Sequence, residues 1–589
     1  MQYARPCHEV LEGGPDVPLC PARDAQLGVS RRDLLPPPGT GRRAAVPRSA
    51  RPTVHPRIRP PAGRAIPGVP IVLKLRTRAA VTASVLILAV SACGGPTTGE
   101  VSDAPAAQQT LRFLTINMPR SLDPIHIDAQ RILENGLAES LVIQRDDGTL
   151  APGLATAWKA VEPTVWEFEL RPGVTFWSGA PSDGTAIAAS LDRHKAKNTR
   201  AKSVLADMTF SAPTPTTLRV TTTKPDPSVP FRLTTYGIHN AAEADRRGAA
   251  FNSDPDLTGF LKPTKFVPGE TLVAEANPSY WNKPAAGKPG ITKIEARLGT
   301  DPQARMLALR SGDAEAEFNV EIDQRLQYEK NKDKFTVHSP APTTRNIWLN
   351  MAKVPALRDI NVRKALDLAA DRKGLIDGLN HGFAKPATGH FPAGLPYAID
   401  AGTTTDQAAA AKLLDDAGWV VGADGVRTKD GQRLQFKILT YTVFQPLAIA
   451  LQSQWKKIGV STELTPVETT ASNKMMLDGD FEIATYCSCG SATGDIPGQL
   501  RSFYRSGVVS NYGGYTNPQV DTLIDQLGTE FDQQKQHELA KQVQQLVHDD
   551  VALIYLYAST QWGAAYTNKV RGVDSNLSRR ILPTMWVTG

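Results

Sequence analysis

A short apolar run, Ala79 to Val90, divides this 589-residue chain into two parts with different fates. Before it, residues 1–70 hold 14 prolines, among them Pro36-Pro37-Pro38 and Pro60-Pro61, with scattered arginines. No apolar period of two or 3.6 runs through them, so residues 1–71 read as structureless. The run itself follows Lys74, Arg76 and Arg78 and ends in Val90-Ser91-Ala92-Cys93. A basic n-region, a brief apolar h-region and small residues before a cut are the parts of an export signal, here residues 72–92. The run falls short of the roughly 20 residues that a membrane-spanning helix needs.

The cysteine directly after the small residues resembles a bacterial lipobox. That resemblance implies cleavage between Ala92 and Cys93, acylation of Cys93, and retention of the mature chain on the membrane surface by its acyl chains. An export signal lies near a true N-terminus, so translation is expected to begin near Val72. A precursor mass much larger than that start allows would contradict this. Residues 93–108, rich in Gly, Pro, Thr, Ala and acidic residues, read as a tether to a body that begins near Leu111.

The formal charge of +7 raises the question of a nucleic-acid partner. Its distribution answers it. Residues 1–92 carry 14 of the 66 basic and 5 of the 59 acidic residues, leaving 52 and 54 in the remainder. The folded part is near neutral, and no nucleic-acid partner is expected. Cys93, Cys487 and Cys489 are the cysteines of the mature chain. So few exclude a disulfide-stapled scaffold, and the fold must rest on an apolar core.

Strand signals fall at Leu111 to Ile116, Val165 to Leu170 and Thr217 to Thr222, rich in alternating or β-branched residues. Helical periodicity marks Ala129 to Leu141 and residues 303–312, 361–380, 406–417, 446–458 and 533–549. Strands and helices intermixed to the end without repeat predict an α/β body.

The stretch LAESLVIQRDDGTLAPGLATAWKAVEPTVWEFELRPGVTFWSGAP from Leu137 resembles the N-terminal signature of the family-5 extracellular solute-binding proteins, the oligopeptide, dipeptide and nickel receptors of bacterial ABC importers. Its parts are legible: Asp147-Gly148 makes a tight turn, and Arg171-Pro172-Gly173 closes a hairpin. Further matches follow in the family's order, including FVPGETLVAEANPSYW (266–281), LRDINVRKALDLAADRKGLIDGLNHG (357–382), NYGGYTNPQVDTLID (511–525) and QLVHDDVALIYLY (545–557). The resemblance implies a two-lobed periplasmic-binding-protein fold of type II with a hinge between the lobes. Lobe I is expected over 109–345 with an inserted subdomain at about 156–261, lobe II over 346–562, and a return to lobe I over 563–589. It also implies a non-enzymatic receptor on the extracytoplasmic side, periplasmic where an outer membrane is present, with permease subunits and a small solute as partners.

No catalytic or cofactor constellation stands out: there is no P-loop, no G-x-S-x-G elbow and no HExxH helix. No cofactor and no built-in metal site are expected. In peptide-binding relatives the segment that corresponds to Thr485–Pro497 presents an aspartate to the ligand's ammonium group, after an aromatic residue. Tyr486 suits the aromatic, Cys489 stands at the acidic position, and Asp495 is either a shifted anchor or a helix cap. Cys487 and Cys489 alternate along a strand, so their side chains share a face. They read as two thiols of small apolar character, with metal ligation the less favoured reading. Arg200 is placed where nickel-chelate receptors similarly carry a carboxylate-gripping arginine, and Arg501 or Arg505 suits the same work. Trp177, Tyr486, Tyr504 and Tyr512 are candidate aromatic cleft walls, and Trp158, Trp166 and Trp281 are assigned to core. The expected solute is a peptide or peptide-like molecule; a nickel or other metal chelate is the alternative, and a lipid-anchored hydrolase the remote one.

Overall fold

The computed structural model describes residues 103–126, 129–489, 494–560 and 562–589. The expectations placed on residues 1–71, on the signal 72–92 and on Cys93 lie outside the described residues. Among the described residues, no helix is long and apolar enough to cross a membrane.

Lobe I is built on a seven-stranded sheet in the order Phe335–His338, Gly563–Thr567, Ala316–Val320, Thr110–Thr115, Lys293–Leu298, Thr271–Ala276, Leu261–Val267. Thr110–Thr115 alternates half-buried and buried positions, sending Leu111 and Phe113 into a core with Phe318, Ile294 and Tyr566. It runs parallel to both neighbours. Its position in the middle requires chain from three distant stretches, which explains why the C-terminal segment must return to this lobe. That return also holds the start of the body: Pro105 bridges to Thr588, and Ala106 N–H donates to Val587 O. The tether expected to reach residue 108 is therefore hydrogen-bonded to the C-terminal segment from residue 105 onward, though still largely exposed.

Inserted in lobe I is a four-stranded antiparallel sheet, Ala155–Glu162, Val165–Leu170, Thr217–Thr222 and Met208–Thr214 in spatial order. Helix Gly184–Lys197, capped by Asp183, covers one face and closes a core of Phe168, Leu191, Leu218 and Val220.

Lobe II has a six-stranded sheet, ordered Lys385–Pro386, Leu553–Ser559, Thr343–Leu349, Ile483–Ser488, Gln435–Tyr441, Ser461–Val467. Leu553–Ser559, Thr343–Leu349 and Ile483–Ser488 are buried on both faces, as expected when helices cover both sides. Ile360–Leu368 and Gln445–Lys456 pack on one face; Ile496–Tyr504, Pro518–Leu527 and Gln533–Asp549 pack on the other. The chain passes between the lobes twice, between His338 and Thr343 and between Ser559 and Gly563. The two crossings lie side by side, with Thr560 Oγ1 donating to Pro340 O at 3.3 Å.

Two expected helices differ. The one over Ala129 to Leu141 ends at Glu134, because Gly136 turns left-handed at φ +70° and its α-carbon packs against the Phe260 ring, where a side chain would collide. The one over 361–380 is two helices, Ile360–Leu368 and Arg372–Asn380, since the Asp371 carboxylate accepts from Gly374 N–H and starts a new helix.

Candidate functional site

Strands Gln435–Tyr441 and Ile483–Ser488 of lobe II run parallel and end on the same side of the sheet, where the antiparallel strand Thr343–Leu349 begins beside the hinge. Strands Thr110–Thr115 and Ala316–Val320 end likewise in lobe I. In open α/β sheets the crevice outside such carboxyl ends is where ligands bind.

The lobe II side of this crevice is aromatic. The rings of Tyr441 and Phe444 are 4.6 Å apart, those of Tyr486 and Tyr512 are 6.0 Å apart, and Tyr512 stands edge-on to Trp348 at 5.3 Å. Among them, Arg345 places its guanidinium 5.1 Å from the Phe444 ring. On the lobe I side, Thr115 Oγ1 donates to Asn319 Oδ1 at 2.8 Å, with Asn319 held at φ +69°. An aromatic wall, a few fixed polar groups and one cation suit a small organic solute.

The lobes touch around this crevice. Arg325 of lobe I covers the Phe383 ring at 4.5 Å, Trp166 and Phe531 are 6.1 Å apart, and His381 meets Asp323. Gly494, left-handed at φ +70°, rests on the Phe231 ring and the Gly148 carbonyl. The two lobes are thus in contact around the crevice.

Sequence-chosen residues divide between this site and elsewhere. Tyr486 and Tyr512 come together. Cys489 lies beside them, but as a half-cystine: it is disulfide-bonded to Cys487, with the Cα atoms 5.0 Å apart. This corrects the reading of two thiols. Cys489 falls one residue past the end of strand Ile483–Ser488, where the chain turns and brings the two Cα atoms near enough to bond, and the bond leaves neither sulfur as a thiolate for metal. Asp495 is half-buried and caps helix Ile496–Tyr504, accepting from Gly498 N–H at 3.0 Å. Burial pushes its carboxyl above the usual range, while hydrogen bonds from Gly498 and Ser228 pull the other way. Tyr504 is in the lobe II core, its hydroxyl 2.7 Å from that of Tyr555 and 2.9 Å from His390 Nδ1. Arg501 and Arg505 both pair with Asp525, at 3.6 and 2.8 Å. Arg200 is exposed on helix Thr199–Val204. Trp177 packs against the lobe I core and donates to Gly259 O at 2.9 Å. Trp158, Trp166 and Trp281 lie in or against lobe I cores.

Sequence reasoning missed Arg345, Tyr441 and Phe444. A signal was present for the first: Arg345 is the one charge in Thr343–Leu349, a strand buried almost throughout.

A serine and histidine do meet in this chain, Ser190 Oγ and His239 Nδ1 at 3.0 Å. Both are fully buried, and the other ring nitrogen faces Arg193 at 3.0 Å where a triad needs a carboxylate. The pair belongs to a packing network with Asp123.

Fold and crevice together define a two-lobed binding protein that closes on a hinge. The profile of the bacterial extracellular solute-binding proteins, family 5 middle region, matches residues 149–511, and the chain belongs to that family. Among curated proteins it is similar to Protein XP55 of Streptomyces lividans, at 28% identity over 77% of this chain and 84% of the relative. It is also similar to the periplasmic oligopeptide-binding protein OppA of Salmonella typhimurium, at 25% identity over 84% of this chain and 96% of the relative. Among solved structures, the nickel ABC transporter from Bacillus halodurans superposes with a TM-score of 0.69 at 26% identity, covering 82% of this chain and 100% of that one. The members are solute-binding proteins, and a solute-binding protein is what the crevice describes.

Proposed function

We propose that this chain captures a peptide or peptide-like solute in the interlobe crevice, on the extracytoplasmic side, and delivers it to the membrane permease of an ABC importer. The aromatic crevice between two lobes carries this reading, and the likeness to an oligopeptide-binding protein over nearly that protein's whole length supports it. Closure is the signal a permease can read, because ligand shifts a hinged receptor toward the closed state. Cys93 is the lipid anchor that keeps the receptor beside the permease. Labelled palmitate should enter the full chain and fail to enter Cys93→Ala; equal labelling sinks the anchor.

A chelated metal is the second reading, favoured by the superposition on the nickel transporter. Among the described residues no group of three His, Cys, Asp or Glu could hold an ion. A metal would therefore arrive in its own organic ligand. Native mass spectrometry of the purified full chain, with metal analysis of the same sample, separates the readings. A released mass matching a short peptide without metal supports the first, and stoichiometric transition metal lost with an organic acid supports the second. Turnover of a released peptide, with product accumulating, would contradict both in favour of a hydrolase.

A further inference from the structure

Six arginines of the described body are buried: Arg193, Arg305, Arg345, Arg363, Arg372 and Arg427. Five are compensated. Arg193 grips Asp123, Arg372 and Arg427 meet Asp367 and Asp415, and Arg363 donates to four backbone carbonyls. Arg305 donates to the carbonyls of Gly299 and Asn319 and to Gln324.

Arg345 differs. It is 2% exposed, yet among the described residues no carboxylate lies within ion-pair distance. Nη1 donates to Thr343 Oγ1 at 2.8 Å and lies 4.0 Å from Cys489 Sγ. Nη2 has no partner. Burial draws its pKa below the usual guanidinium range, opposed by the nearby Tyr557 and Tyr441. An isolated buried charge is costly, and proteins normally pair it. This one stands near the hinge end of an interior strand, two residues after Thr343, at the end of the sheet that faces the crevice. Tyr441 and Phe444 flank it.

We propose that Arg345 is the anchor for a carboxylate of the captured solute, so that the ligand itself supplies the missing counter-charge when the lobes close. The planar fork suits a carboxylate held through two parallel N–H donors. The arrangement also gives closure a chemical condition: a neutral solute would leave the cation buried and unpaired. This inference rests on the receptor reading and narrows it to solutes that carry a carboxylate, peptides with a free C-terminus included.

The test uses the full chain freed of solute by dialysis, with acetate as the probe. Thermal midpoints are measured for the unmutated chain, Arg345→Met and Arg345→Lys in chloride, acetate and phosphate at matched ionic strength. Acetate should raise the unmutated midpoint saturably over chloride by about 2 °C. Arg345→Met should lose that response and melt in chloride no lower than the unmutated chain; Arg345→Lys, which keeps charge without the fork, should respond less. Equal acetate responses in all three would overturn the anchor, even if Arg345→Met fails to fold, because Arg345→Lys then carries the comparison. Stabilisation by phosphate without acetate would contradict the carboxylate assignment. A chain that releases a solute on denaturation but shows no Arg345-dependent response contradicts this inference alone.

Discussion

His381 Nε2 lies 2.6 Å from Asp323 Oδ1, joining the end of helix Arg372–Asn380 in lobe II to the start of helix Ile322–Glu329 in lobe I. The contact exists only while the lobes are together, so it biases closure without touching the crevice. The carboxylate is largely exposed, at 84%, and an exposed pair contributes at most about 1 kcal/mol. Asp323→Asn should therefore weaken solute binding by up to about fivefold, and raised salt should shrink the difference. Titration calorimetry with the co-purified solute measures it. A loss above a hundredfold would mean that this contact does more than latch.

Gly494 sets a stricter limit on closure. A methyl group there would run into the Phe231 ring and the Gly148 carbonyl, both on the opposite lobe, from a left-handed backbone at φ +70°. Gly494→Ala should lower affinity on the order of tenfold or more, since 1.4 kcal/mol of obstructed closure is already that factor. Circular dichroism should stay unchanged, because the lobes fold separately around their own cores. An unaltered affinity would show that the lobes close in another way.

The Cys487–Cys489 bond should resist alkylation in the untreated chain and yield two modified cysteines after reduction, read by mass. It encloses so short a loop that its loss should cost less than about 2 kcal/mol of stability. Its larger effect should be on binding. Reduction leaves a thiol 4.0 Å from the Arg345 guanidinium, and a neighbouring cation favours the thiolate. That thiolate competes with a solute carboxylate, so the acetate response should fall in a phosphine reductant and persist in Cys489→Ser under the same conditions.

Glu139 predicts an inverted pH dependence in lobe I. Burial raises its carboxyl from 4.5 to about 7, opposed by hydrogen bonds from Tyr280, Trp281 and Thr258; Tyr280 Oη and Trp281 Nε1 donate at 2.8 and 3.0 Å. The folded state holds a proton that the unfolded state has released. Its contribution is complete below 4.5 and is lost as pH rises through about 7, with a slope of at most about 1.4 kcal/mol per pH unit. Denaturant unfolding of Glu139→Gln across this window should show a flatter profile than the unmutated chain. A parallel profile would place the raised carboxyl elsewhere.

Long periodic segments were legible in the sequence because one physical effect decides them: residues 533–549 form helix Gln533–Asp549, where apolar spacing and the Asp532 cap agree. Residues 361–380 kept their helical pattern across a break that one capping carboxylate makes at Asp371. The crevice was less legible, since its walls are assembled from strand ends far apart in the chain. Tyr486 and Tyr512 carry the aromatic chemistry that such a wall needs. Arg501 and Arg505 carry the right charge, but Asp525, one helix further on, takes it up. Arg345 was hidden for the opposite reason: a buried arginine usually has a carboxylate or several carbonyls, and that it has no carboxylate among the described residues shows only in three dimensions.

Small-angle X-ray scattering on the dialysed full chain, before and after adding back the solute released from it, tests capture by closure most directly. A smaller radius of gyration is expected on addition, saturating at one solute per chain, with the solute recovered chemically unchanged. An unchanged radius at saturating solute, or a solute recovered as cleavage products, would contradict it.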